Sequence, residues 1–417
     1  MKDYAVLAGL DWADGSHQIC WKDVASGTVD GATVEHSAEA FEQWIDSLGL
    51  DPANQRVAIC LEQSRGAVVY LLMGYEGVDL YPINPVTLAD YRNAFCPSGA
   101  KDDPADAALL LEVLERHPES VGIWMPDDPP TRLLRQLCED RRKLVDERTR
   151  LTHSLRSKLK EYFPQALQLL GESLFKPMAC DFLMKWPTLQ DAARARPATL
   201  RSFYYAHNSR NRALIEERIE RIATSRPTCT DPVIVQAHSR WIQALISQIR
   251  PLNRAIQDYE KQIHSLFSSH PDSWIFQSLP GAGAQLAPRL LAAFGTDRTR
   301  YPTATAFSTY AGVAPVISRS GKSSKVLWRW HCPKFLRQSL VEFAGCSIAS
   351  CPWAKTFYES QLRKGKGHHA ALRSLAFKWV RIIHKCWQSH CPYDEPTYLR
   401  ALQLHGSWIH SALQQAS

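Results

Sequence analysis

Two seven-residue repeats constrain this chain more than any other feature. Ile242, Ile249, Ile256 and Ile263 recur every seven residues, and Leu245, Leu252, Tyr259 and Leu266 follow each by three, so the a and d positions of four heptads are filled. That spacing requires a long helix with one apolar seam, since strands repeat at two. Residues 131–162 carry a second stripe, in which Leu137, Leu144 and Leu151 are continued by Leu155 and Leu159, with Arg141, Arg142, Lys143, Arg148, Arg150 and Arg156 around it. The two helices can pair within one chain or between chains, and the repeats leave both open. Pro251 is expected to kink the second helix or cap a break in it. The stretch between them, residues 163–230, is rich in Arg, contains Pro164, Pro187, Pro197 and Pro227, and reads as a smaller helical insertion.

The segments flanking these helices carry opposite charge. Residues 1–114 hold 18 Asp and Glu against 6 Lys and Arg, whereas residues 298–385 hold 16 Lys and Arg against 2 Glu. A basic, aromatic-rich segment suits a polyanion, and acidic side chains in a separate domain suit divalent cations. Two solvated surfaces of opposite sign docking on each other would give the same counts. Large-scale disorder is excluded by 45% hydrophobic content. No run approaches the roughly 18 to 20 apolar residues of a membrane span, and MKDYAVLAGLDW is no secretory leader, so a cytoplasmic protein without membrane contact is expected. The eleven cysteines, spread from Cys20 to Cys391, are expected to be reduced thiols. Cys346, Cys351, His384, Cys386, His390 and Cys391 do not have the usual C-x2-C zinc spacing.

The first 125 residues alternate strands and helices. Tyr4 to Leu10 is a strand ending at Asp11, Gln18 to Val24 can pair with it as a hairpin, and Val34 to Leu48 has helical periodicity around Phe41, Trp44 and Leu48. Arg56 to Leu61 is a strand ending at Glu62, followed by a helix near Ala67 to Met73, a strand at Val78 to Ile83 and a helix carrying Ala107 to Leu114. This is an α/β domain, and the Pro-rich stretch from Pro126 to Pro130 separates it from the helical region at 126–270. Residues 271–417 form a third, mainly helical region, with helices at Lys334 to Ala349 and His368 to Trp387.

Asp11 and Glu62 stand at strand ends, and Asp103 and Asp106, three apart, share one face at the start of a helix. Singly each is an ordinary turn former or helix cap. Four carboxylates brought together repel one another unless cations sit among them, and two Mg²⁺ ions would serve. A metal pair about 3.5–4 Å apart clamps both oxygens of an in-line phosphoryl displacement. Asp14 and Asp102 are close competitors for the same duty. In the basic region, residues 309–325 read as a loop of small, hydroxyl and basic residues. Within it Ser320 lies between Arg319 and Gly321-Lys322, with Lys325 beyond. Its hydroxyl is a poor nucleophile unless a base or metal activates it, and no His/Asp pair is adjacent, so a phosphate-contacting loop is the alternative. Gly281 and Gly283 resemble half of a helix-hairpin-helix, whose backbone N–H groups contact phosphates. Arg363, Lys364, Lys366 and Arg373 lead a basic helical region with His368 and His369, followed by Lys378, Arg381 and Lys385. There the cations read as phosphate contacts, and the interleaved Phe377, Trp379 and Trp387 as core.

GLDWADGSH around Asp11, CLEQSRG around Glu62, YPINP, KDDPADAALL, LPGAGAQLA and TYAGVAP followed by RSG together resemble the insertion-sequence one-ten family of bridge-RNA-guided transposases. The resemblance spans both ends of the chain. It implies an RNase H/RuvC-like N-terminal domain over 1–125 with a DEDD set at Asp11, Glu62, Asp103 and Asp106. It also implies a C-terminal transposase domain over 271–417 with its serine at Ser320, although Ser318, Ser323 and Ser324 stand close by. The function implied is a Mg²⁺-dependent recombinase in which Ser320 links covalently to DNA, in a homo-oligomer, dimer or tetramer. A structured guide RNA would pair with donor and target DNA. Two other activities suit parts of the same sequence: a RuvC-like endonuclease in which water attacks and no covalent intermediate forms, and a scaffold that binds nucleic acid without chemistry.

Overall fold

The computed structural model describes residues 3–51, 53–62, 64–95, 103–321, 323–330 and 332–416, which form two compact units, Met1–Pro126 and Asp127–Ser417. In chain order the first unit contains β1 (Val6–Asp11), β2 (Ser16–Asp23), β3 (Val29–Glu35), α1 (Ala38–Ser47), β4 (Val57–Leu61), α2 (Ala67–Leu72), β5 (Val78–Pro82), α3 (Pro85–Phe95) and α4 (Asp103–Arg116). The strands make one sheet of order β3-β2-β1-β4-β5, antiparallel across the first three and parallel from β1 to β4 to β5. Both faces are covered, which is why β1 and β4 read as unbroken apolar runs. Val6, Ala8 and Leu10 meet Phe41, Trp44, Val68, Val69 and Leu72 on one face, while Leu7, Ala58 and Cys60 meet Leu110 and Leu114 on the other.

One glycine sets how α4 lies on the sheet. A Cβ at Gly9 would overlap the carbonyl oxygen of Ala107 and the backbone nitrogen of Leu111, and would stand 2.8 Å from Leu110 Cβ. Only a residue without a side chain lets α4 come this close to β1. The helical periodicity expected from Val34 is corrected at its start. Val34 is the last buried residue of β3, and the helix begins at Ala38, where Ser37 Oγ accepts the Ala40 backbone N–H. Helix α3 was not foreseen, since only Leu88 of its middle is fully buried.

The second unit opens with α5 (Pro129–Tyr162), then five short helices: α6 (Gln165–Leu170), α7 (Pro177–Lys185), α8 (Leu189–Arg194), α9 (Pro197–Ala206) and α10 (Arg212–Thr224). The chain returns along α11 (Pro232–Ser269). Helices α5 and α11 pair antiparallel within the chain. At one end Leu151, Leu155 and Leu159 pack with Ile242, Leu245 and Ile249, and at the other Leu134 and Cys138 pack with Ile263 and Phe267. Arg141 Nε donates to Glu260 Oε1 at 3.1 Å, and Arg148 Nη1 to Asn253 Oδ1 at 3.2 Å. The heptads therefore close on their own chain. Pro251 does not break α11: it and Ser247, whose carbonyl loses the usual backbone N–H partner, lie on the exposed side, open to solvent. The short helices pack on the Ile242 to Ile249 end of this hairpin.

The remaining elements are α12 (Ser273–Gln277), α13 (Gly283–Phe294), α14 (Ala304–Tyr310), β6 (Val316–Ser320), β7 (Ser323–Leu327), α15 (Lys334–Ser350), α16 (Pro352–Arg363), α17 (His368–Gln388), α18 (Glu395–Leu404) and α19 (Trp408–Ala416). Their core includes Phe294, Phe343, Trp353, Trp379 and Trp387, and it is continuous with the Leu134 and Ile263 end of the long helices. Trp379 donates to Ser347 Oγ and Trp387 to the Gly295 carbonyl, both at 2.8 Å, so these tryptophans are structural. Of the segment read as a loop, Thr309 and Tyr310 end α14, residues 311–315 are a loop, and from Val316 the chain forms a hairpin. Among the described residues no helix is long and apolar enough to cross a membrane.

Candidate active site

On the first unit, strand register does the first part of the assembly. Leu10 pairs with Leu61 across the parallel β1 and β4, so Asp11 and Glu62 leave the same edge of the sheet at matched positions. Helix α4 then supplies Asp103 as its first residue and Asp106 one turn on. All four carboxylates line one pocket of about 350 Å³, with Trp12, Ala13 and Arg92. Exposure grades across it: Asp103 is exposed, Asp11 and Glu62 are half-buried, and Asp106 is only 3% exposed.

Arg92, on the last turn of α3, was missed by sequence reasoning. Its Nε and Nη2 each stand 2.7 Å from a different oxygen of Asp106, a two-pronged pair that neutralises the buried carboxylate. Among the described residues no group of three or more His, Cys, Asp or Glu side chains is gathered closely enough to hold a metal ion. The donors still suit one chemically, because they are all carboxylate oxygens, the ligands preferred by hard divalent cations. Of the competitors, Asp14 is not among the residues lining the pocket, and Asp102 lies outside the described residues.

The chain leaving Asp11 is held by a buried histidine. His17 Nδ1 accepts the Ala13 backbone N–H at 3.3 Å, which leaves Nε2 to donate to His36 Nδ1 at 2.9 Å. Burial, and then the neighbouring His36, push the His17 pKa down, so its neutral form is favoured.

On the second unit, Ser320 ends β6 directly opposite Ser323 of β7. Side chains alternate across a strand, so Ser318, Ser320, Ser323 and Lys325 share one face of the hairpin, and Arg319 and Ser324 the other. All are exposed, and Lys322 lies outside the described residues. The TYAG segment anchors the hairpin's base. At Gly312, φ is +72° and a Cβ would stand 2.6 Å from that of Cys332. Gly281 has a packing reason of its own, because a Cβ there would come within 2.7 Å of the Cys346 carbonyl on α15. Gly283, which opens α13, faces open space. Arg363 and Lys364 end α16 in solvent, Lys366 Nζ donates to Gln361 and Ser374, and Arg373 lies over the indole of Trp328, 3.7 Å from the ring centre.

Carboxylates gathered in one pocket on the first unit and a basic, serine-bearing hairpin on the second are groups chemically suited to phosphoryl transfer. Residues 8–164 match the transposase family model of the DEDD type of IS110, and residues 274–359 match the model described as "Transposase IS116/IS110/IS902 family". The chain belongs to the IS110 family of insertion-sequence transposases, enzymes whose substrate is DNA. It is 29% identical over 398 residues to a Streptomyces coelicolor protein named as a mini-circle transposase for IS117, covering 94% of this chain and 95% of that one. It is 27% identical over 395 residues to the 43.6 kDa protein of insertion element IS110 from the same organism, covering 92% and 94%. To the 42 kDa protein of IS900 from Mycobacterium paratuberculosis it is 26% identical over 351 residues, covering 82% and 84%.

Proposed function

We propose that this transposase is an RNA-guided recombinase with a RuvC-like first unit, cutting and rejoining donor and target DNA with Ser320 as nucleophile. The observation that carries the catalytic part is the convergence of Asp11, Glu62, Asp103 and Asp106 on one pocket. The sheet order, with three antiparallel strands followed by two parallel ones, supports the fold assignment. These four carboxylates would hold the divalent ions, two Mg²⁺, and when bound the metals supply charge neutralisation at the phosphate and a lowered pKa for the attacking hydroxyl. Ser320 Oγ forms the bond to phosphorus, the phosphorus–oxygen bond to one deoxyribose breaks, the serine gives up its proton and the departing sugar oxygen gains one. Lys325, on the same face of the hairpin, faces the phosphate as a counter-charge. Reversal on a second strand restores the phosphodiester without an external energy source. The guide RNA, and a dimer or tetramer, follow from the family resemblance. Such an oligomer has to use surfaces other than the internal α5–α11 seam.

The test is covalent trapping. Protein, Mg²⁺, RNA from the element's flank and end-labelled donor and target DNA are run on a denaturing gel for wild type, Ser320→Ala and Asp11→Ala. The expected result is a protein–DNA adduct in wild type that is lost in both variants. Cleavage that persists in Ser320→Ala without an adduct would assign a hydrolytic nuclease instead.

A further inference from the structure

Beyond the serine hairpin lies an arrangement that no step above uses. β7 ends at Leu327, and the next residues place Trp328 and Trp330 with ring centres 5.8 Å apart. Trp328 is half-buried beneath two guanidinium groups, Arg373 of α17 at 3.7 Å from its ring centre and Arg337 of α15 at 4.7 Å. Arg337 also donates to the Arg329 carbonyl at 3.0 Å, which fixes the turn. Trp330 is left 72% exposed.

Two features point to a ligand. The first is surplus charge: neither Arg337 nor Arg373 forms an ion pair with a carboxylate of the described residues, and the nearby Glu342 of α15 is taken by Arg142 and Arg289. Burial first, and then the neighbouring Arg337, lower the Arg373 pKa, and an arriving anion would offset both. The second is the presented indole. Trp353, Trp379 and Trp387 are fully buried and Trp274 and Trp408 are 40% and 44% exposed, so among the described residues of this region Trp330 is the most exposed indole, and it stands beside one stacked under two arginines. An aromatic plane with flanking cations suits a nucleobase and its phosphates, and a base in a duplex has no free face to stack.

We propose that Trp330, backed by Trp328, Arg337 and Arg373, is a stacking platform for an unpaired base of single-stranded DNA. The five-residue arms of the hairpin put its base ~13 Å from the tip that carries Ser320. An unpaired stretch a few nucleotides long spans that interval. The placement beside the serine rests on the proposed function, but the stacking itself does not.

The experiment is fluorescence anisotropy of the full-length protein with labelled 15-nucleotide oligo-dT, the corresponding 15-base-pair duplex and oligo-U, over a series of salt concentrations. Trp330→Ala is expected to weaken oligo-dT binding about 5- to 150-fold, with Trp330→Phe keeping most of it and duplex binding changing little. Arg373→Gln is expected to lower the salt slope by about one, which Trp330→Ala does not do. Equal losses for duplex and single strand, or a Trp330 effect confined to oligo-U, would overturn the platform. The anisotropy assay reads binding alone, with no cleavage or joining step, so a failed adduct assay and a failed platform are told apart. Trp330 is exposed, and a melting curve of Trp330→Ala that overlays wild type confirms that lost affinity is not lost fold.

Discussion

Gly9→Ala is the smallest change that should disable the N-terminal unit. The added methyl would meet backbone atoms of α4, at Ala107 and Leu111, rather than the end of a side chain that could swing aside. Its distance of 2.8 Å to Leu110 Cβ falls well short of the 3.4–4 Å of ordinary contact. Relieving this requires α4 to retreat from β1 by about 1 Å, a gap that forfeits roughly a quarter to a half of each dispersion contact across it. The contacts at stake are those of Leu110, Leu111 and Leu114 with Leu7, Ala58 and Cys60. Overpacking of this kind costs about 1–3 kcal/mol, and a backbone obstacle favours the upper end. For a unit of this size that is roughly 10 °C off the midpoint of its transition by scanning calorimetry. The chemistry should suffer more than the fold. Asp103 and Asp106 ride on α4 while Asp11 is fixed to β1, so the same shift misplaces two carboxylates by about 1 Å, an error that costs on the order of 100-fold in rate. Gly15→Ala is the control, because a Cβ there meets nothing within 4 Å and its backbone is not left-handed. A Gly9→Ala protein that melts within 1 °C of wild type would refute the close-approach argument.

Three further outcomes follow from the packing and charge. Arg92→Gln leaves Asp106 buried without its partner and should cost about 3–5 kcal/mol, most of it restored by adding Asp106→Asn. Because the freed carboxylate then awaits a cation, 10 mM Mg²⁺ should raise the melting temperature of Arg92→Gln more than that of wild type, and equal shifts would remove Asp106 from the metal set. Ile249→Lys puts a charge into a seam closed within the chain, so chemical denaturation should show a loss of several kcal/mol with no folded species of lower mass. A folded variant of reduced mass by light scattering would instead make the seam an interface between chains. The third concerns pH. Since the folded state lowers the His17 pKa, its contribution is complete above the unfolded value near 6.5 and is lost as pH falls below it. Melting temperature should therefore drop between pH 6.5 and 5 in wild type, and drop less in His17→Gln.

What the sequence made legible was whatever a short-range pattern records. β1 and β4 are covered on both faces, so VLAGL and VAICL stand out as apolar runs, and their common register with Asp11 and Glu62 at the ends follows from one crossover. The heptads announce α5 and α11 because a seam of that length has no other use. They do not announce the partner, because Ile249 looks the same whether it packs on Leu155 of its own chain or on a second copy. Val34 was assigned to a helix because one residue of apolar spacing at a strand-to-helix junction satisfies either period. Arg92 was invisible for a different reason. Its bond to Asp106, fourteen residues on, joins two different helices, and α3 has too little apolar pattern to say which way its last turn faces. The β6–β7 hairpin shows the limit most clearly: nine of its ten strand residues are exposed and only Val316 is half-buried, so its pairing is set by the turn at Gly321 and leaves almost no periodic trace. The same exposure left Trp330 indistinguishable, in sequence, from the buried tryptophans of the helices behind it. A binding surface is the part of a fold that packing does not dictate, and that is where sequence periodicity has least to say.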